Sequence, residues 1–156
     1  MISYIFFILL LAFALLCAIQ ISIYDFRQRI IPDAYLFPLM LTGLIMTTFF
    51  SYPIHIQDGI IGATFGYIMA CLIGILFDRI THNKQQKPDI PIGMGDIKLI
   101  GVGGLWLGTT GLAIALVIAC ISGGIWATHH KTRFIPFAPF FLLGGFLSLI
   151  AITFLI

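Results

Sequence analysis

The sequence predicts an all-α integral membrane protein, a six-helix transmembrane bundle with both termini outside. Three observations predict it. The 156 residues are 60% hydrophobic and 9% charged, with a mean hydropathy of +1.12. Apolar runs long enough for membrane helices recur along the chain, and the basic residues fall between them on what the topology makes a single side. A soluble domain carries about 25% charged residues, so this chain has too little polar side chain to cover a surface facing water. A soluble enzyme, a disordered tail and a nucleic-acid binder are excluded, and a net charge of +2 argues against a polyanion partner. At this length residues 1–156 are expected to form one transmembrane domain.

A membrane helix needs ~20 mostly apolar residues to cross ~30 Å of hydrocarbon. The first run, Ile2–Tyr24, lacks a basic leading region and exceeds the ~7–15 apolar residues of a signal peptide, so it is read as a permanent span. The second is Ala34–Phe50 and the third Gly59–Phe77. Ile97–Thr128 is either one long helix or a hairpin broken at Gly108-Thr109-Thr110-Gly111, and Ile135–Ile156 is the last span. Charge decides between the two forms. Cytoplasmic loops are enriched in Lys and Arg. With the N-terminus outside and Ile97–Thr128 a hairpin, Arg27, Arg29, Arg79, Lys84, Lys87, Lys98, Lys131 and Arg133 all fall on the cytoplasmic side. The outer turns, Ser51–Asp58 and Gly108–Gly111, hold none. Ile97–Leu107 is short for a span, so it is expected to be shielded by other helices or to face a wet cavity. Gly62, Gly66, Ala70 and Gly74 recur at every fourth position, and Gly101, Gly103, Gly104 and Gly108 cluster opposite. Such small residues let helix backbones approach closely, which predicts that these two helices pack together. Cys17, Cys71 and Cys120 each stand alone in an apolar run and are expected to be buried thiols outside any disulfide framework.

Ionisable residues in or at the edge of a membrane are costly and are functional candidates by default. The acidic residues are six Asp and no Glu. Asp25 ends the uncharged first run, and Asp96 stands between Gly93-Met94-Gly95 and an apolar stretch. Both fall at the cytoplasmic border, on different helices. The other four have plainer roles: Asp33 and Asp58 as helix caps, Asp78 paired with Arg79 at a wet helix end, Asp89 in the polar loop Thr81–Pro91. Two carboxylates a few ångströms apart do not ionise together readily; one keeps a proton while the other stays charged. Such a pair can activate water against a peptide carbonyl and protonate the leaving groups, with no metal, cofactor or covalent intermediate. Gly95 beside Asp96 would let a substrate backbone approach with no Cβ in the way. The same two residues could instead form an ion or proton pathway. His129 and His130 are adjacent with no carboxylate or Cys near them in sequence, which reads as interfacial histidine rather than a metal site. Trp106 and Trp126 read as interface anchors or packing residues.

The strings Tyr24-Asp25-Phe-Arg-Gln-Arg-Ile-Ile-Pro32-Asp33, Gly93-Met-Gly95-Asp96-Ile-Lys98-Leu99 and Ile135-Pro136-Phe137-Ala138-Pro139-Phe140 together resemble the type IV prepilin peptidase family, membrane aspartic proteases with a Gly-x-Gly-Asp motif. The likeness runs over nearly the whole chain in family order. It implies that Asp25 and Asp96 are the catalytic pair, with Gly93, Gly95 and Lys98 as motif residues at the approach of substrate. It implies as substrate the short basic leader of type IV prepilins or secretion pseudopilins, followed by a hydrophobic helix and cut at the cytoplasmic face of a prokaryotic inner membrane. Presenilin-like proteases share the two Asp motifs but carry a Pro-Ala-Leu string that this chain lacks. Larger bacterial members of the family carry a cysteine-rich insertion after the first span and methylate the new N-terminus. Here eight residues separate Asp25 from Ala34, so methylation by this chain is not expected. The compact form resembles peptidase-only members such as archaeal preflagellin peptidases, while Ile-Pro-Phe-Ala-Pro-Phe leans toward the pilus and type II secretion branch. The competing functions are a non-enzymatic transporter or proton pathway using the same two Asp, and an inactive relative that scaffolds a secretion complex.

Overall fold

The structure, a computed structural model, describes residues 2–50, 52–82, 93–131 and 135–155. Within them the chain forms five helices and no strand: α1 (Ile2–Gln28), α2 (Asp33–Phe49), α3 (Ile56–His82), α4 (Met94–His130) and α5 (Phe137–Leu155). All but α2 are long and apolar enough to cross a membrane, which makes this a multi-pass membrane protein. Their outward faces are apolar too: Ile8, Leu9, Leu15 and Leu16 on α1 and Ile60, Ile61, Phe65 and Ile68 on α3 are exposed. Water would penalise such a surface; a bilayer does not, because the constraint there is that backbone groups bond within the helix. Polar side chains obey the same constraint. In α2, which carries Pro38 inside the helix, the Thr42 hydroxyl donates to the Pro38 and Leu39 carbonyls at 3.0 and 2.9 Å.

α4 is interrupted at Gly108, whose φ of 65° and ψ of −173° lie outside the helical region. Only glycine visits that backbone readily. The 37-residue stretch is therefore two helical arms, 94–107 and 109–130. The partners along α5 show that the chain doubles back there. On the first arm Gly103 lies against Phe141 and Leu107 against Gly145, so this arm and α5 ascend together. On the second, Gly111 lies near Ile152 and Ser148, Ala115 against Gly144, and Gly123 near Phe140, so the order is inverted. Both ends of α4 consequently reach the end of the bundle where α1 stops: Gly95 packs on Ile31, and Trp126 meets Phe26 edge-on at 6.1 Å. At the opposite end Asp58 joins the break. Its carboxylate accepts the Thr109 hydroxyl at 3.0 Å and the Thr109 N–H at 3.5 Å. Asp58 was expected to cap its own helix. It lies inside the first turn of α3 and serves the start of the second arm instead.

The first arm is shielded, as its length requires: Ile97, Leu99, Ile100, Val102, Leu105 and Leu107 are all buried. It runs antiparallel to α3 in the expected glycine contact. At the crossing a Cβ on Gly62 would come 2.7 Å from the Gly104 carbonyl oxygen, and a Cβ on Gly104 would strike the Gly62 backbone. The core joins α1 (Ala14, Cys17, Ile21), α2 (Leu36, Leu39), the first arm and α5 (Ala138, Phe141). The thiols depart from expectation in part: Cys17 is buried, Cys71 half-buried and Cys120 exposed. The surface toward lipid is as apolar as the interior, so a lone thiol finds no penalty there. Trp106 fills packing space, its ring on Gly43 and its Nε1–H donating to the Leu39 carbonyl at 2.9 Å. Trp126 stacks on His130 at 4.5 Å beside Phe140.

Candidate active site

Asp25 lies in the last turn of α1 and is only 4% exposed. A buried carboxylate needs hydrogen-bond donors. It finds one in the backbone of a distant helix: the Ala138 N–H donates to Asp25 Oδ2 at 2.7 Å. Ala138 is the second residue of α5, so the carboxylate sits on the N-terminus of that helix, where free N–H groups and the positive end of the dipole meet it. Pro136 and Pro139 frame the contact. They carry no N–H of their own, and Ala138, fully buried, is small enough to admit the carboxylate. The Arg29 guanidinium lies within electrostatic range of Asp25. Arg29 ends α1 in a left-handed conformation, φ 56°, with its N–H on the Asp25 carbonyl at 2.9 Å. A non-glycine residue pays roughly 1–2 kcal/mol for that conformation.

Asp96 occupies the first turn of α4, half-buried, and its Oδ2 accepts the Gly93 N–H at 3.2 Å. Its charge and that of Asp25 act on one another. The two Asp singled out in the sequence are thus neighbours at one end of the bundle, one on the last turn of α1 and one on the first turn of α4. The remaining motif residues have partners of their own. Gly93 supplies the N–H on Asp96. The bare Cα of Gly95, expected to leave room for a substrate backbone, is occupied by Ile31: a Cβ there would come 2.8 Å from the Ile31 Cβ. Lys98 points to α2 and binds Asp33 with Nζ at 2.9 and 2.7 Å from the two carboxylate oxygens. Asp33 was expected to be a cap. The N-cap of α2 is Pro32, without a side-chain cap bond, and Asp33 one residue later turns to the lysine. Asp78 and Arg79 are exposed near the end of α3. Lys84, Lys87, Asp89 and Arg133 lie outside the described residues. Residue types alone missed Ala138, because its contribution is a backbone N–H; the signal available was a buried-size residue between two prolines.

Comparison with known proteins gives this arrangement its relatives. The model of the type IV leader peptidase family matches residues 4–128. This chain belongs to the type IV leader peptidase family. Among curated proteins it is 28% identical over 139 residues to a prepilin leader peptidase/N-methyltransferase of Aeromonas salmonicida (strain A449), covering 85% of this chain and 45% of that one. It is 33% identical over 144 residues to the protein of the same name from Burkholderia pseudomallei (strain 1026b), with 87% and 44% covered. The counterpart from Dichelobacter nodosus is 31% identical over 133 residues, with 83% and 44% covered. The chain therefore spans a little under half the length of these relatives. No solved structure matches it. The family match includes both Asp25 and Asp96 but ends before α5, so the Ala138 contact lies beyond the matched residues.

Proposed function

We propose that this leader peptidase family member is a membrane aspartic endopeptidase that removes the short N-terminal leader of prepilin-like precursors, with Asp25 and Asp96 as its catalytic dyad. The observation that carries the reading is a buried carboxylate, Asp25, fixed by a helix N-terminus and set within electrostatic reach of a second, Asp96. Structural economy gives no reason to hold two such groups together at the end of an apolar bundle; acid–base chemistry does. The ionised member takes a proton from water as the oxygen attacks the scissile carbonyl. The protonated member gives its proton to the carbonyl oxygen. The tetrahedral species then collapses, the C–N bond breaks, and a proton passes to the departing amine, leaving a leader carboxylate and a new N-terminus. The substrates would be precursors with a basic leader and a hydrophobic helix, of the type IV pilus or type II secretion kind. The relatives' names support this class; the methyl transfer in those names is not part of the proposal. A proton pathway built on the same pair draws no support from the family.

The proposal includes a topology: one domain in a prokaryotic inner membrane, six crossings, both termini outside and the dyad at the cytoplasmic face. The reversal at Gly108 supports an even count, and the one-sided Lys and Arg support the orientation.

The test is cleavage of a prepilin-like substrate by variants at matched membrane levels. Asp25→Asn and Asp96→Asn keep the side-chain shape but can neither accept a proton from water nor act as an acid. Each positioned acid or base contributes ~10²–10⁴-fold, and groups that share a proton fail together, so each variant is expected to lose at least ~10²-fold. Asp78→Asn, exposed on α3, should cleave at the wild-type rate. Near-normal cleavage by either dyad variant ends the aspartic reading.

A further inference from the structure

The two Asp strings touch at more than the dyad. The link between α1 and α2 is short, residues 29–32, and together with the first residue of α2 it meets the start of α4 at two points. Ile31 is buried on Gly95, the residue before Asp96. Asp33 then takes Lys98, two residues after Asp96, on both carboxylate oxygens, 2.7 and 2.9 Å from Nζ. These contacts bracket Asp96, and both come from the segment that directly follows Asp25. Asp25 has an anchor of its own in the Ala138 N–H. The hydrogen bond that Asp96 accepts from the Gly93 N–H is local to its own helix start and does not set where that start sits relative to α1.

We propose that the Asp33–Lys98 ion pair is a positioning device of the dyad, a latch that holds the first turn of α4 on the α1–α2 turn and so sets Asp96 opposite Asp25. The proposal rests on the peptidase reading above. Lys98 is not aimed at the reacting atoms: residues two apart on a helix do not share a face, so the ammonium that reaches α2 projects away from Asp96. Nor is the pair a stability element. Its side chains are 43% and 65% exposed, and exposed pairs add little to folding. Its leverage is geometric, since a displacement of about 1 Å between reacting groups can cost about 10²-fold in rate.

The experiment measures kcat, KM and melting temperature of the full-length protein in lipid–detergent micelles, with a prepilin-like leader peptide as substrate. Asp33→Asn and Lys98→Met are each expected to lower kcat by about ten- to a hundredfold while KM stays within about twofold and melting stays near wild type. Lys98→Arg, which keeps the charge and its reach, is expected to retain most of kcat. The exchange Asp33→Lys with Lys98→Asp is expected to recover most of what the single variants lose. Single variants with wild-type kcat overturn the latch, as does an exchange that melts like wild type yet is as slow as the singles. Should a single variant fail to fold, the exchange and Lys98→Arg still decide, because a latch requires both to be active. A wild-type protein that cuts none of the leader peptides overturns the peptidase reading and the latch with it; an active wild type with active single variants overturns the latch alone.

Discussion

At Tyr52, between α2 and α3, the phenol oxygen is buried without a hydrogen-bond partner among the described residues, while the ring meets Trp106 edge-on at 5.8 Å. Leaving such a hydroxyl unpaired costs about 1–3 kcal/mol. Tyr52→Phe keeps the ring contact and removes the orphan, so it is expected to stabilise the protein by about 1 kcal/mol, read by thermal or denaturant unfolding in micelles. Burial also pushes the Tyr52 phenol well above its ordinary value. The folded state therefore holds that proton where the unfolded chain releases it, at about pH 10. Stability from this group is complete below that pH and is lost as pH rises beyond it. Tyr52→Phe should flatten that alkaline loss; an unchanged alkaline slope would show that the phenol is not its source. The residues of the proposed site divide in how legible they were. Asp25 and Asp96 stood out because a carboxylate in an apolar run has few innocent explanations. Asp33 did not, because capping is a rule about neighbours in sequence, whereas its partner Lys98 is 65 residues away. Ala138 was hidden more deeply, since a backbone N–H carries no residue signature.

Among the helices, the contact most open to test is the crossing of α3 with the first arm of α4. The spacing of small residues announced it, because small side chains such as Gly and Ala let helix backbones approach closely in a bilayer. Gly62→Val places a side chain where the Gly104 carbonyl and the Gly108 backbone already stand, both 2.7 Å from the Cβ position. Overpacking of this kind costs about 1–3 kcal/mol. Gly124, on the second arm, has nothing within 4 Å of its Cβ position, so Gly124→Ala is expected to be neutral or to gain up to about 1 kcal/mol in helix propensity. Melting temperatures of the two variants side by side check the contrast; equal behaviour would mean that the crossing is looser than its geometry. The Gly-Thr-Thr-Gly string likewise announced a break in α4. What it could not convey was the use of Asp58 to bind the new helix start, for that needs the third dimension.

For the molecule as a whole, the doubling back of α4 fixes which ends of helices share a face. Lys131 follows the second arm and Arg27 lies in the last turn of α1, while His55 precedes α3 at the opposite end. In a background with Cys17, Cys71 and Cys120 replaced by Ala, Arg27→Cys and Lys131→Cys should react with a membrane-impermeant thiol reagent from the cytoplasmic side. His55→Cys should react from the outer side. Labelling of positions 55 and 131 from one side would refute the six-crossing topology. Composition and the recurring apolar runs made the multi-pass, all-helical character readable before any fold was known; the sidedness inferred from Lys and Arg rests on the labelling experiment. The bond between Ala138 and Asp25 adds a dimension that neither composition nor topology contains, which is time. The two partners are 113 residues apart, and chains emerge from the ribosome from the N-terminus. Asp25 is therefore made 113 residues before its donor. Until α5 is in place the carboxylate lacks the N–H that holds it, so a chain still in synthesis, or one truncated before residue 137, carries both acidic groups without the anchor of the proposed dyad. On the dyad reading proposed above, such a chain is expected not to cleave leader peptides.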